Sequence, residues 1–354
     1  MEEGKKVPVG TDPFAAANSG GGFVSFFGEL FDRSEIRRRI IIKGGPGTGK
    51  SSLLRRLAAD AEARGRRVRR YRCSSDPDSL DGIVVDGVLA VFDGTAPHAA
   101  EPLIPGARDE IVNLGEFWDG DGLAQRYEEI RALGEKKQEC FRRATRYLCA
   151  AENLRWVSDG LLAPYVKHEK LRRAAERILA EFPNGGGFSV YPELRFGIGM
   201  KGRVKALIEN DWKGGLYSVA DYYDTGHLFL RLLCEGARRK GCALRIFYDP
   251  VDPSRPDGVF FLESGKGFLL DVGENAIPER VIYMRRFVDH ALPLENRQRV
   301  RLNRRMGEAM LEGAEAALAE AGCYHGELES IYGACMDFER LSRKGAELSG
   351  RLFG

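Results

Sequence analysis

The stretch that decides the fold reads Lys43-Gly44-Gly45-Pro46-Gly47-Thr48-Gly49-Lys50-Ser51-Ser52. It matches the pattern G-x-x-x-x-G-K-[ST], with Gly44 as the first glycine and Ser51 as the hydroxyl residue. An apolar β-branched run, 40–42, precedes it, and a segment with helical periodicity, 53–59, follows it. We call Gly44–Ser52 the glycine-rich loop. A plain turn between a strand and a helix is the alternative interpretation, but the complete motif with both flanks predicts a phosphate-binding loop.

The residue types of this loop indicate which ligand it would bind. Glycines let successive backbone N–H groups point at phosphate oxygens, and the start of a helix adds partial positive charge. Lys50 would neutralise the β- and γ-phosphates, and Ser51 would ligate Mg²⁺. The chain has no Asn-Lys-x-Asp motif for guanine, so ATP is favoured over GTP. The predicted nucleotide-binding residues are Gly45, Pro46, Gly47, Thr48, Gly49, Lys50, Ser51 and Ser52.

Length and composition restrict the class of protein. The chain has 354 residues, which predicts about two domains, and its 43% hydrophobic and 30% charged residues are typical of soluble globular proteins. The net charge is only +2, so there is no overall attraction to nucleic acid or to an anionic membrane. No apolar run reaches the length of a membrane span.

The cysteines and the first residues predict a location. The seven cysteines show no C-x-x-C spacing, and an odd number without a disulfide framework is typical of free thiols in a reducing compartment. Met1–Lys6 lack the apolar core of a signal peptide. Together these features predict a cytoplasmic protein.

The chain also contains an internal repeat. Asp252-Pro253 and Asp257-Gly258 echo Asp76-Pro77 and Asp81-Gly82 at one common offset. The strand-like runs 245–248, 268–271 and 280–284 occur in the same order as 69–72, 90–93 and 110–114, which matches Asp271 with Asp93. Because the order is shared, a tandem duplication is favoured over chance.

The second copy has lost the motif. At the place of the glycine-rich loop it reads Ala220-Asp221-Tyr222-Tyr223-Asp224-Thr225-Gly226-His227-Leu228. Depending on one gap, Gly226 or His227 matches Lys50, and neither supplies an ammonium group. Carboxylates there would repel a triphosphate. We therefore predict a nucleotide-binding first half, residues 1–182, and a degenerate second half, residues 183–354.

Strands that alternate with helices predict the architecture. The pattern indicates an α/β protein with the three-layer P-loop fold, in which a parallel sheet is covered on both faces, duplicated in tandem. Each half is predicted to end in a long helical extension, at about 121–182 and 296–352. Two interpretations of these extensions remain open: a hairpin arm or lid, and a layer that covers a sheet edge.

Three segments carry a family resemblance. Residues 44–52, 73–82 and 93–98 resemble a group of bacterial P-loop proteins described as hypothetical ATPases or ATP-binding proteins, common in spore-forming Firmicutes. The resemblance covers most of the first half and the second half only weakly. It implies two tandem P-loop-like halves and ATP binding, but it names no substrate. Both halves can carry a phosphate loop in that family, whereas here the second half has none.

Asp93 is the predicted magnesium partner of Ser51. It ends the apolar run 88–92, at the carboxyl end of a buried strand, where Walker-B aspartates hold Mg²⁺ through water. The alternative is a turn aspartate. Gly94 follows it, whereas fast ATPases usually place a glutamate there, so slow hydrolysis, kinase chemistry or a switch is favoured.

Asp78 and His98 complete the predicted catalytic set with Lys50 and Asp93. Asp78 would take a proton from an acceptor hydroxyl, or it is a solvated loop carboxylate. His98 would contact the γ-phosphate or orient water, or it caps a loop. The basic clusters 64–70 and 297–305 would contact nucleic acid, or they are solvated helix ends; nucleic acid is not the favoured partner.

These features combine into one hypothesis and a rival. The first half is expected to bind Mg-ATP and to act as a slow ATPase or a kinase. The rival hypothesis is a non-enzymatic, ATP-dependent switch or scaffold that recruits a protein or nucleic-acid partner. No feature of the sequence selects the residue that would serve as an arginine finger.

Overall fold

The computed structural model describes residues 9–10, 12–206, 214–272 and 277–354, so the prediction about Met1–Lys6 lies outside the described residues. The helices α1 to α8 are Phe27–Phe31, Lys50–Ala63, Gly120–Gln125, Tyr127–Leu162, His168–Ala180, Gly226–Lys240, Leu294–Ala334 and Phe338–Phe353. The strands β1 to β16 are Val9–Gly10, Ala16–Ser19, Gly22–Ser25, Arg38–Lys43, Val68–Arg72, Leu80–Val85, Leu89–Asp93, Asp109–Asn113, Val190–Leu194, Phe196–Gly199, Gly202–Ala206, Leu216–Ala220, Leu244–Tyr248, Pro256–Phe261, Lys266–Leu269 and Arg280–Tyr283.

The first half contains a five-stranded sheet with the order β5-β6-β7-β4-β8. Strand β4 pairs in parallel with β7 and β8, but β6 pairs antiparallel with β5 and β7. The predicted all-parallel sheet is therefore wrong, and the sheet is mixed. The antiparallel pairing of β6 with β7 is caused by the turn between them, where Asp86 and Gly87 have φ of 52° and 74°. Such a tight turn makes a hairpin, whereas parallel neighbours need a long crossover.

The second half contains a six-stranded sheet with the order β16-β12-β15-β14-β13-β9. Strand β12 pairs in parallel with β15 and β16, and β14 pairs antiparallel with β13 and β15. These five strands have the order and directions of β8-β4-β7-β6-β5, and β9 adds an edge strand parallel to β13. The α/β class is confirmed, with mixed sheets in both halves.

The two sheets meet at their edges through Phe14. Phe14 bridges Arg72, at the end of β5, in parallel and Leu194, at the end of β9, in antiparallel fashion. The Phe14 N–H donates to the Leu194 carbonyl at 2.9 Å, and the Leu194 N–H donates to the Phe14 carbonyl at 3.0 Å. Backbone hydrogen bonds therefore join the sheets.

The helical extensions have two roles: their long helices form an arm, and their last helices cover the sheets. Helices α4 and α7 are antiparallel, because Lys137 contacts His325 while Ser158 contacts Asn303, and small and aliphatic side chains fill the space between them. Helix α5 packs in the core of the second sheet, whereas α8 packs in the core of the first sheet. Helix α5, which ends the first helical extension, thus covers the second sheet. Helix α8, which ends the second helical extension, covers the first sheet.

Among the described residues, no helix combines the length and the apolar character that a membrane crossing requires.

Candidate functional site

The glycine-rich loop connects β4 to α2. The centre of β4 is completely buried, which holds the strand in the middle of the sheet. Gly47 and Gly49 have φ of 67° and 83°, left-handed values that favour glycine. Helix α2 begins at Lys50, so the N–H groups of its first turn have no partner within the helix. The loop therefore has the backbone of an anion-binding turn.

Lys50 and Asp93 lie together at this loop. The Lys50 ammonium donates to the carbonyls of Gly44 at 2.8 Å and Gly45 at 2.6 Å. It also lies 3.5 Å from Oδ2 of Asp93, at the end of the neighbouring strand β7. Burial raises the pKa of Asp93, and the nearby Lys50 charge only partly offsets this rise. The structure thus brings two of the predicted catalytic residues into contact.

Ser51 and Thr95 connect the loop to its surroundings. The Ser51 hydroxyl accepts a hydrogen bond from the Leu80 N–H at 2.9 Å. The Thr95 N–H donates to Oδ1 of Asp93 at 2.8 Å, and the Thr95 hydroxyl donates to the Gly44 carbonyl at 3.0 Å. Thr95 therefore fastens the loop to the end of β7. Sequence reasoning missed this role, for which the only signal was its position two residues after Asp93.

Asp78 is not brought to the loop. Its side chain is 72% exposed and forms an ion pair with Lys201 at 2.6 Å. Lys201 also pairs with Asp76 at 2.7 Å, and the Asp78 carbonyl accepts a hydrogen bond from Arg55. These contacts hold Asp78 at the surface between the two halves, away from the Lys50 ammonium.

His98 is buried in an aromatic pocket. Its ring stacks on Phe27 with a centroid distance of 4.2 Å, and Phe23 contacts it edge-on. The His98 Nε2 lies 3.1 Å from Oδ2 of Asp81, while Nδ1 has no hydrogen-bond partner in the described part of the chain. His98 therefore packs in the core, and it neither caps a loop nor contacts Lys50.

The ends of α7 and α8 lie directly on the glycine-rich loop. A Cβ added to Gly47 would be 2.5 Å from the carbonyl oxygen of Glu329. A Cβ on Gly45 would be 3.3 Å from the Tyr332 ring. A Cβ on Gly49 would be 2.8 Å from the Leu341 side chain. The glycines thus permit close approach by helices that are distant in sequence.

Charged side chains of the long helices surround this contact. His325 places Nε2 3.5 Å from the Glu329 carboxylate and Nδ1 3.5 Å from the Lys137 ammonium. The hydrogen bond from His325 holds the pKa of Glu329 below its usual value. Burial and the nearby Lys50 charge lower the pKa of Lys137. Sequence reasoning missed all three residues, because no local motif marks them.

The second half places a carboxylate where the first half has its loop. If the first residues of α2 and α6 are matched, Gly226 occupies the position of Lys50. The Asp221 carboxylate accepts hydrogen bonds from the N–H groups of Gly226 at 2.5 Å and Tyr223 at 3.2 Å. A Cβ on Gly226 would lie 2.8 Å from Oδ2 of Asp221 and would also collide with Leu270. A side chain at this position would require the Leu270 and Asp221 side chains to move.

Strand register changes the predicted match of Asp271 with Asp93. Ile41 and Ser218 are equivalent, because they pair with the matched residues of β8 and β16. Ile41 pairs with Phe92, whereas Ser218 pairs with Leu269. The residue one position further is Asp93 in the first sheet and Leu270 in the second. The match to Asp271 was therefore wrong by one residue, and Asp271 pairs with Lys205 at 2.6 Å.

Helix α4 contacts the segment 221–225 through an ionic cluster around the buried Arg255 side chain. The Arg255 guanidinium pairs with Asp252 at 2.8 Å, Asp159 of α4 at 2.7 Å and Asp224 at 3.3 Å. Burial lowers the pKa of His227 to about 4 and raises the pKa of Asp224 to about 6. Ion pairs of Arg255 therefore hold Asp224 against α4.

No dedicated metal cage is present in the ranges described: there is no group of three or more His, Cys, Asp or Glu side chains that could hold an ion. Magnesium at a nucleotide site needs only one or two protein ligands, since phosphates and waters supply the others. Ser51 and Asp93 could provide them.

Comparisons with protein-family models, with curated proteins and with solved structures find no match to this chain.

Proposed function

We propose that the first half binds Mg-ATP at the glycine-rich loop and carries out slow ATPase or kinase-like phosphoryl transfer. The observation that carries this proposal is the Lys50 ammonium, 3.5 Å from Asp93, at the start of α2. Lys50 would exchange its carbonyl partners for phosphate oxygens. Ser51 and Asp93 would hold Mg²⁺, which neutralises charge that develops on the phosphates. The raised pKa of Asp93 supports this role, because a cation would stabilise its buried carboxylate.

Slow turnover follows from the surroundings of Asp93. Gly94 occupies the usual position of a water-polarising glutamate, and a Cβ there would collide with Ile41. Asp78 pairs with Lys201 and His98 stacks on Phe27, so each would have to leave these partners to activate a nucleophile. The acceptor, if there is one, would have to bring its own reactive group close to Lys50.

We also infer that the chain is a tandem duplication of a P-loop-like unit and that only the first copy binds a nucleotide. The shared strand order and directions of the two sheets support the duplication. Asp221 and Leu270, at the positions of a phosphate and of Asp93, support the loss of binding in the second copy. The resemblance to tandem bacterial P-loop proteins agrees with this architecture. A cytoplasmic location completes the proposal, and the seven free cysteines support it.

The contact between α7 and the glycine-rich loop favours a second candidate function, an ATP-dependent switch. The Glu329 carboxylate and the Gly47 contact lie where incoming phosphates would approach. The negative charges of the Glu329 carboxylate and of the phosphates would repel each other. Bound ATP would therefore shift α7, and with it the arm that α7 forms with α4. This movement would link nucleotide binding to a partner.

Isothermal titration calorimetry with Mg-ATP and Mg-GTP tests the proposed binding. We expect one equivalent of ATP per chain. Lys50→Ala should weaken binding by about 100-fold, because the phosphates lose the ammonium of the glycine-rich loop. His227→Ala, at the neighbouring position of the second half, is the matched control and should leave the affinity unchanged. The absence of heat with either nucleotide, or two equivalents per chain, would overturn the proposal.

Phosphate-release and ADP-formation assays then separate the two candidate functions. Turnover that Asp93→Asn removes without loss of fold supports phosphoryl transfer. Binding without turnover, together with ATP-dependent change in the hydrogen exchange of residues 121–182 and 320–341, supports the switch. Unchanged exchange there contradicts the switch.

A further inference from the structure

A group of arginines in the second half has no acidic partner. Within the ranges that the structure describes, these residues form no salt bridge, and all but Arg297 are exposed. They are Arg285, Arg286, Arg297, Arg301, Arg304 and Arg305. Arg299, between them, does pair with Glu295 at 2.6 Å. Positive charge is therefore concentrated on the first part of α7 and on the segment before it, whereas the net charge of the protein is only +2.

The first helical extension shows the opposite arrangement. Arg126 pairs with Glu129 at 2.9 Å, and Arg131 pairs with Glu128 at 2.9 Å and Glu135 at 2.6 Å. Such pairs within one helix are ordinary solvated surface. Since unpaired arginines repel one another, the group on α7 and on the segment before it is left to be neutralised by an external anion.

Tyr222 lies beside three members of the group, Arg285, Arg301 and Arg304. Its side chain is 47% exposed, and its hydroxyl accepts a hydrogen bond from Arg301 at 3.2 Å. The Arg285 guanidinium carbon lies 6.0 Å from the centroid of the Tyr222 ring, and Tyr223 packs edge-on at 4.8 Å. The hydrogen bond from Arg301 and the charges of Arg301, Arg285 and Arg304 lower the pKa of Tyr222. An aromatic ring is thus held among three guanidinium groups.

We propose that this arginine–tyrosine surface binds single-stranded nucleic acid. Guanidinium groups pair with backbone phosphates, and an exposed aromatic ring stacks on an unpaired base. Bases in a duplex are hidden from such a ring, so the single strand is the better partner. Leu302 and Met306, which lie exposed on the same stretch of α7, add apolar groups that bases and sugars can cover.

Fluorescence anisotropy with labelled oligonucleotides of about 20 nucleotides tests the proposal. It is performed without ATP, so its result does not depend on the proposed nucleotide site, and Lys50→Ala should bind the oligonucleotide normally. We expect single strands to bind more tightly than the duplex of the same sequence. The logarithm of affinity should fall with the logarithm of salt concentration, with a slope of about −2 to −4 for three to five phosphate contacts.

Variants locate the binding surface. Arg301→Ala with Arg304→Ala should weaken single-strand binding by about tenfold or more. Tyr222→Ala should remove the preference for single strands, whereas Tyr222→Phe should keep it, because the ring is retained. Arg126→Ala with Arg131→Ala is the matched control in the first extension and should have no effect.

Three results would overturn the inference. One is equal weakening by both arginine pairs, which indicates non-specific attraction. Another is a preference for duplex that Tyr222→Ala leaves unchanged. The last is binding to vesicles with anionic lipid, or to an acidic peptide, but not to oligonucleotides, which assigns the surface to a membrane or a protein instead.

Discussion

The two strand-to-helix segments of this protein, 44–49 between β4 and α2 and 221–225 between β12 and α6, differ in their chemistry. In the first, Gly47 and Gly49 have left-handed φ values, and Lys50 supplies a positive charge at the start of α2. In the second, the Asp221 carboxylate accepts hydrogen bonds from the N–H groups at the start of α6. The second segment thus carries its own anion. An internal carboxylate in this segment thus satisfies amides of the kind that a phosphate would need.

The two segments also differ in how the long helices contact them. Helix α7 touches the glycine-rich loop through the backbone of Glu329 and the Tyr332 ring. Helix α4 touches the second segment through the ion pairs of Arg255. We expect the second contact to be essential for stability and the first to be the one that can open.

The largest expected effect is on the ionic cluster. Arg255→Met should reduce the free energy of unfolding by about 3–5 kcal/mol, because it leaves Asp252 and Asp159 without their cation. Urea unfolding measures it. Arg299→Met, which removes an exposed pair with Glu295, is the control and should cost no more than about 0.5 kcal/mol. A loss below about 1 kcal/mol for Arg255→Met would show that this cluster does not hold the segment.

The next effect depends on pH. The pKa of His227 is about 4 in the folded protein and has an ordinary value of 6.5. Between these values only the unfolded chain takes up the proton, so stability is complete above pH 6.5 and falls as the pH drops towards 4. His227 should contribute up to about 3 kcal/mol to this fall. Unfolding at several pH values should show a smaller acid loss for His227→Gln than for the wild type; parallel profiles would contradict the assignment.

A smaller effect should distinguish the α7 contact from backbone strain. Gly47 and Gly87 both have left-handed φ, but only a Cβ on Gly47 meets another group, the Glu329 carbonyl. Each alanine variant should lose about 1–2 kcal/mol from strain. Gly47→Ala should lose about 2 kcal/mol more, or show faster hydrogen exchange at the end of α7. Equal stability and exchange in the two variants would mean that α7 does not press on the loop in solution.

The smallest expected effect concerns Asp221. Asp221→Asn keeps an oxygen that accepts from Gly226, so the loss should be about 1 kcal/mol. Calorimetry should still show one equivalent of ATP, because no lysine follows. A second equivalent would show that the carboxylate alone prevents binding in the second half.

Local features of the candidate site were predictable from the sequence. Strand β4 contains the apolar run 40–42 and helix α2 contains the periodic segment 53–59, because an apolar run and a helical period are properties of neighbouring residues. The mixed sheet was also readable in principle, since Asp86-Gly87 between apolar runs is a hairpin signal. The sequence could not show that Leu270 rather than Asp271 matches Asp93, because strand register depends on pairing with another strand.

The sequence by itself determined the glycine-rich loop, the lysine within it and the absence of a lysine from the segment 221–225. Only the tertiary structure decided that His98 is buried against Phe27, that Asp78 pairs with Lys201 and that Glu329 and Lys137 lie beside the loop. The physical reason is distance along the chain. A motif acts through bonds between neighbouring residues, whereas these contacts exist only after helices and strands far apart in sequence have packed together.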